Sequence, residues 1–555
     1  MIGVVASPSE SVVVREFFEL FKTPWEFYQN DQQYDVLLCA GEGKVPRNAD
    51  KLVLIYAGRK LPLDDRLNIE VTPQKRRTQM LSHRGRRIPV YADSVTFREH
   101  VTGPLVDEQS RQSGVYLREV SGTLVYRIGY DLFREIRILL TEGQPAINAA
   151  IPAVELHIAL LRDLIVASRV PLVEIPPIPD GYRFIACLTH DIDHPSIRQH
   201  LFDHTMFGFL YRAVLGSVFN LVRGRASFRN LLTNWTAVLK LPLVHLGLAN
   251  DIWCEFSRYI ELERGERSTF FVIPFKDCPG ESAEGVAPSR RASPYGAADI
   301  SAQVQELMAG GCEIGLHGID AWLDSHKGRA ELEEIRRITG MDQIGVRMHW
   351  LYFDTRSPLI LEQAGADYDS TIGYNGTVGY RAGTTQAYKP LEATRLLELP
   401  LHVMDTALFY PSYLNLARDE ARMRVDRIID NAVQFGGCVI VNWHDRSFAP
   451  ERLWGDFYVD LVDRLKNREA WFSTAAQTVS WFRKRRSAIF ESVSWQSGEM
   501  RVKISVDMSG DVPDLQLRIH NGREPQQNIP ICAVASDLAQ EFRLTRTIDA
   551  CVAIS

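Results

Sequence analysis

Between residues 182 and 485 the chain repeats one rhythm, a short apolar run followed by a stretch with apolar positions three or four apart. The apolar runs are FIACLT (184–189), STFFVIP (268–274), CEIGLH (312–317), GVRMHW (345–350), YDSTIGY (368–374), LLELPLHVM (396–404), GCVIVNWH (437–444) and WFSTAA (471–476). Runs of this length bounded by turn residues read as buried strands. AELEEIRRITG (330–340) and SPLILEQAG (357–365) carry helical spacing, and each ends at a glycine, as helices commonly do. Strands alternating with helices predict parallel β/α architecture, and this many of them predict a barrel.

The flanks differ. Residues 1–175 hold β-like runs at YDVLLCAG (34–41) and KLVLIYAG (51–58) and helical spacing at 130–143 and 151–169, with Pro152 in the first turn of the latter. This predicts a small α/β domain; it holds no glycine-rich phosphate loop. VPLVEIPPIPDG (170–181) reads as a stiff proline-rich linker. Residues 486–555 alternate apolar and polar positions, which predicts a small β-rich domain that binds carbohydrate or covers one end of the enzyme. The expected division is therefore 1–175, 176–485 and 486–555.

One insertion breaks the rhythm. Residues 196–260 are helical in pattern, aromatic and basic. They read either as a helical subdomain packed on the barrel or as a surface that docks on a membrane or a partner. Arg223, Arg225 and Arg229, set beside Phe and Trp residues, suit an anionic lipid surface.

Composition narrows the field. The chain has 555 residues, 45% hydrophobic and 24% charged, with net charge −6; such numbers are ordinary for a soluble globular protein, and without a basic footprint nucleic acid is not an expected partner. The eight cysteines form no C-x-x-C pair and read as small core residues of a reducing compartment. The N-terminus lacks the basic n-region of a signal peptide, and no uninterrupted apolar run approaches the roughly 20 residues of a membrane span. The nearest, 207–222, contains Arg212 and Asn220. A cytoplasmic address is expected, with membrane association if the insertion docks.

The candidate chemistry begins in ACLTHDIDHP (186–195). In an extended segment Thr189, Asp191 and Asp193 share one face, while His190, Ile192 and His194 share the other. Two carboxylates at i and i+2 repel unless a cation joins them; otherwise they are turn and cap residues before Pro195. Position favours the site. Asp191/Asp193, His317, His349 and His444/Asp445 all close or follow apolar strands, and parallel β/α barrels collect catalytic groups at the C-terminal ends of their strands.

LTHDID (188–193), STFFVIP (268–274), EIGLHG (313–318), GVRMHW (345–350) and VIVNWHD (439–445) stand in the order found in the polysaccharide deacetylase family (NodB-homology, carbohydrate esterase type), which the chain resembles over about 182–485 outside the insertion. The resemblance implies a distorted (β/α) barrel and metal-dependent removal of acetyl groups from N-acetylated sugars. It implies Asp191 as base, Asp193 and His317 as metal ligands, Arg347 as the group orienting the base, and His444 as the acid for the leaving amine. The family's second histidine of the metal motif falls on Ala321; His349 is the preferred replacement, with Asp320 and His326 as rivals. The third motif also lacks its usual proline pair.

The implied mechanism has a divalent ion, zinc by preference, on Asp193, His317 and His349, with Asp191 and His444 acting on a metal-bound water and on the amine. Asp445 or Asp369 could tune His444. Arg381, Trp350 and Tyr352 are candidate substrate contacts, and Trp322 and Trp443 could also stack on sugars. The Gly/Pro/Ser-rich loop 278–296 could be a lid or a disordered surface loop. The rival functions are hydrolysis of another amide or ester, and a catalytically silent carbohydrate-binding or assembly module.

Overall fold

The β-branched and aromatic runs become the strands of one parallel sheet. In the computed structural model, residues 1–544 are described apart from 42–45, 47, 48, 75, 99–102, 121, 225, 254, 255, 264, 497, 498, 508, 509, 521–526 and 532–539. Two compact units form, residues 1–144, 151–181 and 480–555 in one and 145–150 with 182–479 in the other.

The second unit is built round the strand Phe184–Ile192, every residue of which is buried. Ser268–Val272 and Cys438–Asn442 flank it in parallel. Glu313–Gly318, Val346–Met348, Tyr368–Asp369 and Leu397–Glu398 continue on one side, and Val403–Met404 on the other. Ala470–Phe472 pairs with the beginning of the central strand.

The two outermost strands belong to one extended segment. Within it the amides of Leu399 and Leu401 donate to the carbonyls of Asp369 and Ile372, and the amide of His402 donates to that of Ile440. A single segment thus bonds both edges, and the sheet curls round on itself. YDSTIGY yields only a two-residue strand, because past it the Ile372 amide turns to the Glu398 side chain.

The helices stop as expected. Ser325–Thr339 begins at Asp324, whose carboxylate accepts from the amides of His326 and Lys327. It ends at Gly340, and Ser357–Ala364 ends at Gly365; both glycines are left-handed (φ 72° and 95°), a conformation that favours glycine.

The insertion folds as helices at His204–Tyr211, Ser217–Val222 and Phe228–His245, the first two joined by a π-turn. Asp203 and Ser227 cap the first and third through the amides of Met206 and Asn230. Met206, Phe209 and Ala213 pack with Ala237, Leu241, Val244 and Trp253 in a small core that also takes in Ala449.

In the first unit a six-stranded sheet runs 115–120, 123–128, 49–56, 34–40, 2–5, 25–27, parallel except for its first pair. The expected linker differs from its reading. Leu172–Glu174 is a buried strand paired with Leu515–His520, because its apolar residues have a sheet edge to cover. Cys39, Cys187, Cys278 and Cys312 are free thiols; all but Cys278 are buried, as is Cys438; Cys254, Cys532 and Cys551 lie outside the described residues.

Candidate metal and acid–base site

The C-terminal ends of the sheet strands gather round a cavity of about 560 Å³ lined, among others, by Asp191, Asp193, His317, His349, Trp350, Tyr352 and His444. Asp191 sits at the end of the central strand, almost wholly buried. Arg347, from the next strand but two, donates through Nη1 to Asp191 Oδ1 (3.0 Å) and to Thr189 Oγ1 (2.6 Å), while its Nε and Nη2 are fixed on Ser370. Asn442 Nδ2 donates to Asp191 Oδ2 at 2.6 Å. Burial alone would raise the Asp191 carboxyl, but the Arg347 guanidinium, with His317 and His444 nearby, holds it below the ordinary value.

Asp193, His317 and His349 each offer one ligand atom to a common point. His317 Nε2 lies 3.3 Å and His349 Nδ1 3.4 Å from Asp193 Oδ1, and the two ring nitrogens are 3.0 Å apart. The far ring nitrogens face carbonyls: His317 Nδ1 the Arg347 carbonyl at 3.0 Å, and His349 Nε2 the Arg291 carbonyl at 3.1 Å. A carbonyl can only accept, so each ring carries its proton there and turns a lone pair inward. Asp193 Oδ1 is buried without a hydrogen-bond partner. Burial lowers His349 below the usual imidazole value, which favours the neutral, ligating form. Two inward lone pairs and a carboxylate oxygen converge without a proton to share, and a divalent cation fits that donor set.

The geometry also explains Ala321. Gly328 approaches it so closely that a Cβ at 328 would lie 3.1 Å from Ala321 Cβ, which leaves no room for an imidazole. His349 reaches Asp193 and His317 because the strand ends at Met348 and a tight turn follows, with Trp350 and Leu351 at positive φ (62° and 53°). The rivals are placed elsewhere. Asp320 accepts from the Glu281 amide and Lys327 Nζ, and His326 is exposed.

His444 Nδ1 is 2.6 Å from Asp405 Oδ1, and Asp405 Oδ2 accepts from the His444 amide and from Ser447 Oγ. Burial works to lower the His444 pKa, yet Asp405 overcomes it and raises the imidazole to about 9. Asp405 is thus the tuning carboxylate. Asp445 instead accepts from the His194 amide, and Asp369 from Thr371 Oγ1.

Sequence reasoning missed Asp405, Asn442 and Arg291. Asp405 follows the run LLELPLHVM directly, the same strand-end signal that marked Asp191. Asn442 lies two residues before His444 and has no such mark. Arg291 lies in the loop 278–296, which is ordered and not a featureless surface loop. Its guanidinium donates to the carbonyls of Pro279, Ile319 and His349, and Ser293 and Tyr295 donate to the Asp193 and Ile192 carbonyls. The loop forms a wall behind Asp193 and His349.

The remaining candidates separate. Trp350 and Tyr352 line the cavity, whereas Arg381 donates to the Gly373 carbonyl and is not among the lining residues. Trp443 stacks on Phe457 in the core, and Trp322 is buried edge-on to Tyr352. His190 faces away, between Glu263 and the Trp443 carbonyl. His194 lines the cavity, since the strand ends at Ile192 and alternation no longer governs it.

No known family's sequence profile matches the chain, and no curated protein matches it. Among solved structures, it is similar to one described as "putative polysaccharide deacetylase" from Mycobacterium smegmatis, at 18% identity over 56% of this chain and 95% of that one, TM-score 0.34. A GH57 branching enzyme from Thermococcus kodakaraensis matches at 12% identity over 62% and 66%, TM-score 0.27. A beta-galactosidase from Marinomonas ef1 matches at 9% over 30% of each chain, TM-score 0.20.

Proposed function

We propose that this chain is a metal-dependent hydrolase of the polysaccharide deacetylase type, releasing acetate from N-acetylated sugars of a polysaccharide or its precursor. The observation that carries this is one cavity wall presenting an Asp/His/His ligand set between an ionised carboxylate and a carboxylate-paired histidine. The motif order agrees with it.

Asp193, His317 and His349 would hold the ion, zinc by the N/N/O donor set, and when bound it would supply Lewis acidity at the acyl carbon's oxygen. Asp191 takes the proton of the attacking water. Its two oxygens are pinned by Arg347 and Asn442, so it is ionised and already oriented. His444, kept protonated by Asp405, gives its Nε2 proton to the departing amine. Trp350 and Tyr352 offer faces against which a sugar ring can lie.

Acetate release from a panel of N-acetylated and O-acetylated sugars, measured across pH, tests the reading. Turnover confined to O-acetyl esters would replace deacetylation of amines with esterase chemistry. A raised His444 pKa means the acid is present below it and lost as pH rises through it. The alkaline limb should therefore lie above an ordinary histidine's value. Asp405→Asn should move that limb acidward by about one unit or more, and an unmoved limb would remove His444 from the acid role.

A further inference from the structure

Deacylation of a neutral sugar leaves one feature of the cavity unused. Arg212, Arg446 and Arg452 line it together with the ligand set. They are close enough to oppose one another's charge: burial first, then Arg452, lowers both Arg446 and Arg212. Arg446 Nη2 donates to Glu451 Oε1 at 2.9 Å, and the Asp445 and Asp405 carboxylates also feel Arg446 and Arg452. Arg446 is 4% exposed and lies flat over Trp253, and Arg452 lies over Trp454. Stacking of this kind satisfies the faces of the guanidiniums but not their edges. Nε of Arg212, Nε of Arg446, and Nε and Nη1 of Arg452 are all buried without a hydrogen-bond partner. Buried, unpaired donors on like-charged groups are costly, and their planar forks match the oxygens of a phosphate.

We propose that Arg212, Arg446 and Arg452 bind a phosphate group of the substrate, so that the sugar entering this cavity is linked through a phosphodiester or diphosphate to a carrier. The carrier assignment rests on the deacetylase reading; the anion site does not.

Two measurements separate them. Inorganic phosphate titrated into the full-length protein should bind. Arg452→Met, and on a different element Arg212→Met, should each weaken binding about tenfold or more, while Asp193→Ala should leave it intact. Absence of binding to the wild type, or binding lost in Asp193→Ala and kept in both arginine variants, would overturn the site. Acetate release is then compared for a neutral N-acetylhexosamine oligomer, a nucleoside diphosphate N-acetylhexosamine, and the same sugar diphosphate on a short polyprenyl chain. Preference for either diphosphate supports the assignment and names the carrier. Equal rates on all three overturn it without touching the deacetylase reading. Phosphate binding without acetate from any of them refutes the deacetylase reading instead.

A separate observation concerns the insertion. Its helices bury one apolar stripe and expose another. Phe207, Tyr211, Leu215, Phe219 and Val222 are exposed on the first two, and Leu232, Trp235, Leu239, Leu243 and Leu246 on the third. Residues 204–250 contain five Arg or Lys and no Asp or Glu, in a chain of net charge −6. We infer that an anionic lipid bilayer covers this surface. His204–Val222 is long and apolar enough to cross a bilayer by length. However, Met206, Phe209 and Ala213 are packed into the unit and Arg212 turns into the cavity, so the helix lies along the bilayer, not through it.

Flotation with vesicles tests this. The intact chain should float with anionic vesicles, less with zwitterionic ones and less in high salt. Phe219→Glu with Leu239→Glu, at positions 56% and 80% exposed, should leave it in the pellet fraction. Failure of the intact chain to float with anionic vesicles overturns the inference. So does a concentration-dependent dimer that the same double substitution dissolves, because a second copy would then be the occupant.

Discussion

Replacing Asp193 or His317 by alanine should strip the purified protein of a bound divalent ion and abolish turnover. Asp193 Oδ1 is the atom on which both imidazoles converge, and it has no other partner. His317 is held by the Arg347 carbonyl in the tautomer that turns Nε2 inward. Loss of either leaves two donors where a tightly held zinc takes three or more protein ligands. Because ligating imidazoles must be neutral, metal content should also fall in acid. His349→Ala should behave as the other two do. Elemental analysis of the variants beside the wild type checks all three, with thermal melting to show that each has folded. Metal content equal to wild type in both Asp193→Ala and His317→Ala would dissolve the site.

The parts of this arrangement that alternation and strand-end position control were legible beforehand. Asp191, His317 and His444 fall where an apolar run meets polar residues, and a parallel sheet must bring such ends together. The place of His349 beside Asp193 and His317 was legible only as a preference, since it depends on the turn through Trp350. That turn carries positive φ at non-glycine residues, and nothing local announces it. The groups that hold the site were harder to read. Asn442 is the last residue of an apolar strand, hidden in the sequence by the Trp443 that follows it, and Arg291 lies in a segment whose Gly, Pro and Ser content suggested slack. Its order comes in large part from the carbonyls of Ile319 and His349, outside the loop. Long-range partners of this kind leave no periodic mark. The buried strand at Leu172–Glu174 was misread for the same reason: prolines around it were visible, but its partner, Leu515–His520, lies more than three hundred residues away.

Asp191→Asn should keep the ion and lose about a hundredfold to ten-thousandfold in kcat, the range that a positioned acid–base group supplies. The substitution is nearly isosteric, and Asp191 is not one of the three ligand residues. Retention of metal therefore separates this variant from Asp193→Ala, which removes a ligand. The amide cannot take a proton from water at neutral pH, and it also leaves Arg347 Nη1 facing a neutral group instead of a carboxylate. That second effect could reduce activity through misplacement of Arg347 alone. Arg347→Lys provides the contrast: it keeps the charge near Asp191 but loses the fork that reaches Ser370 and Thr189 together. If Asp191 is the base, Asp191→Asn should fall well below Arg347→Lys, and the acidic limb of the pH–rate profile, set by a carboxyl that Arg347 holds below its ordinary value, should vanish in the former and move up in the latter. Undiminished turnover by Asp191→Asn would refute its role as base.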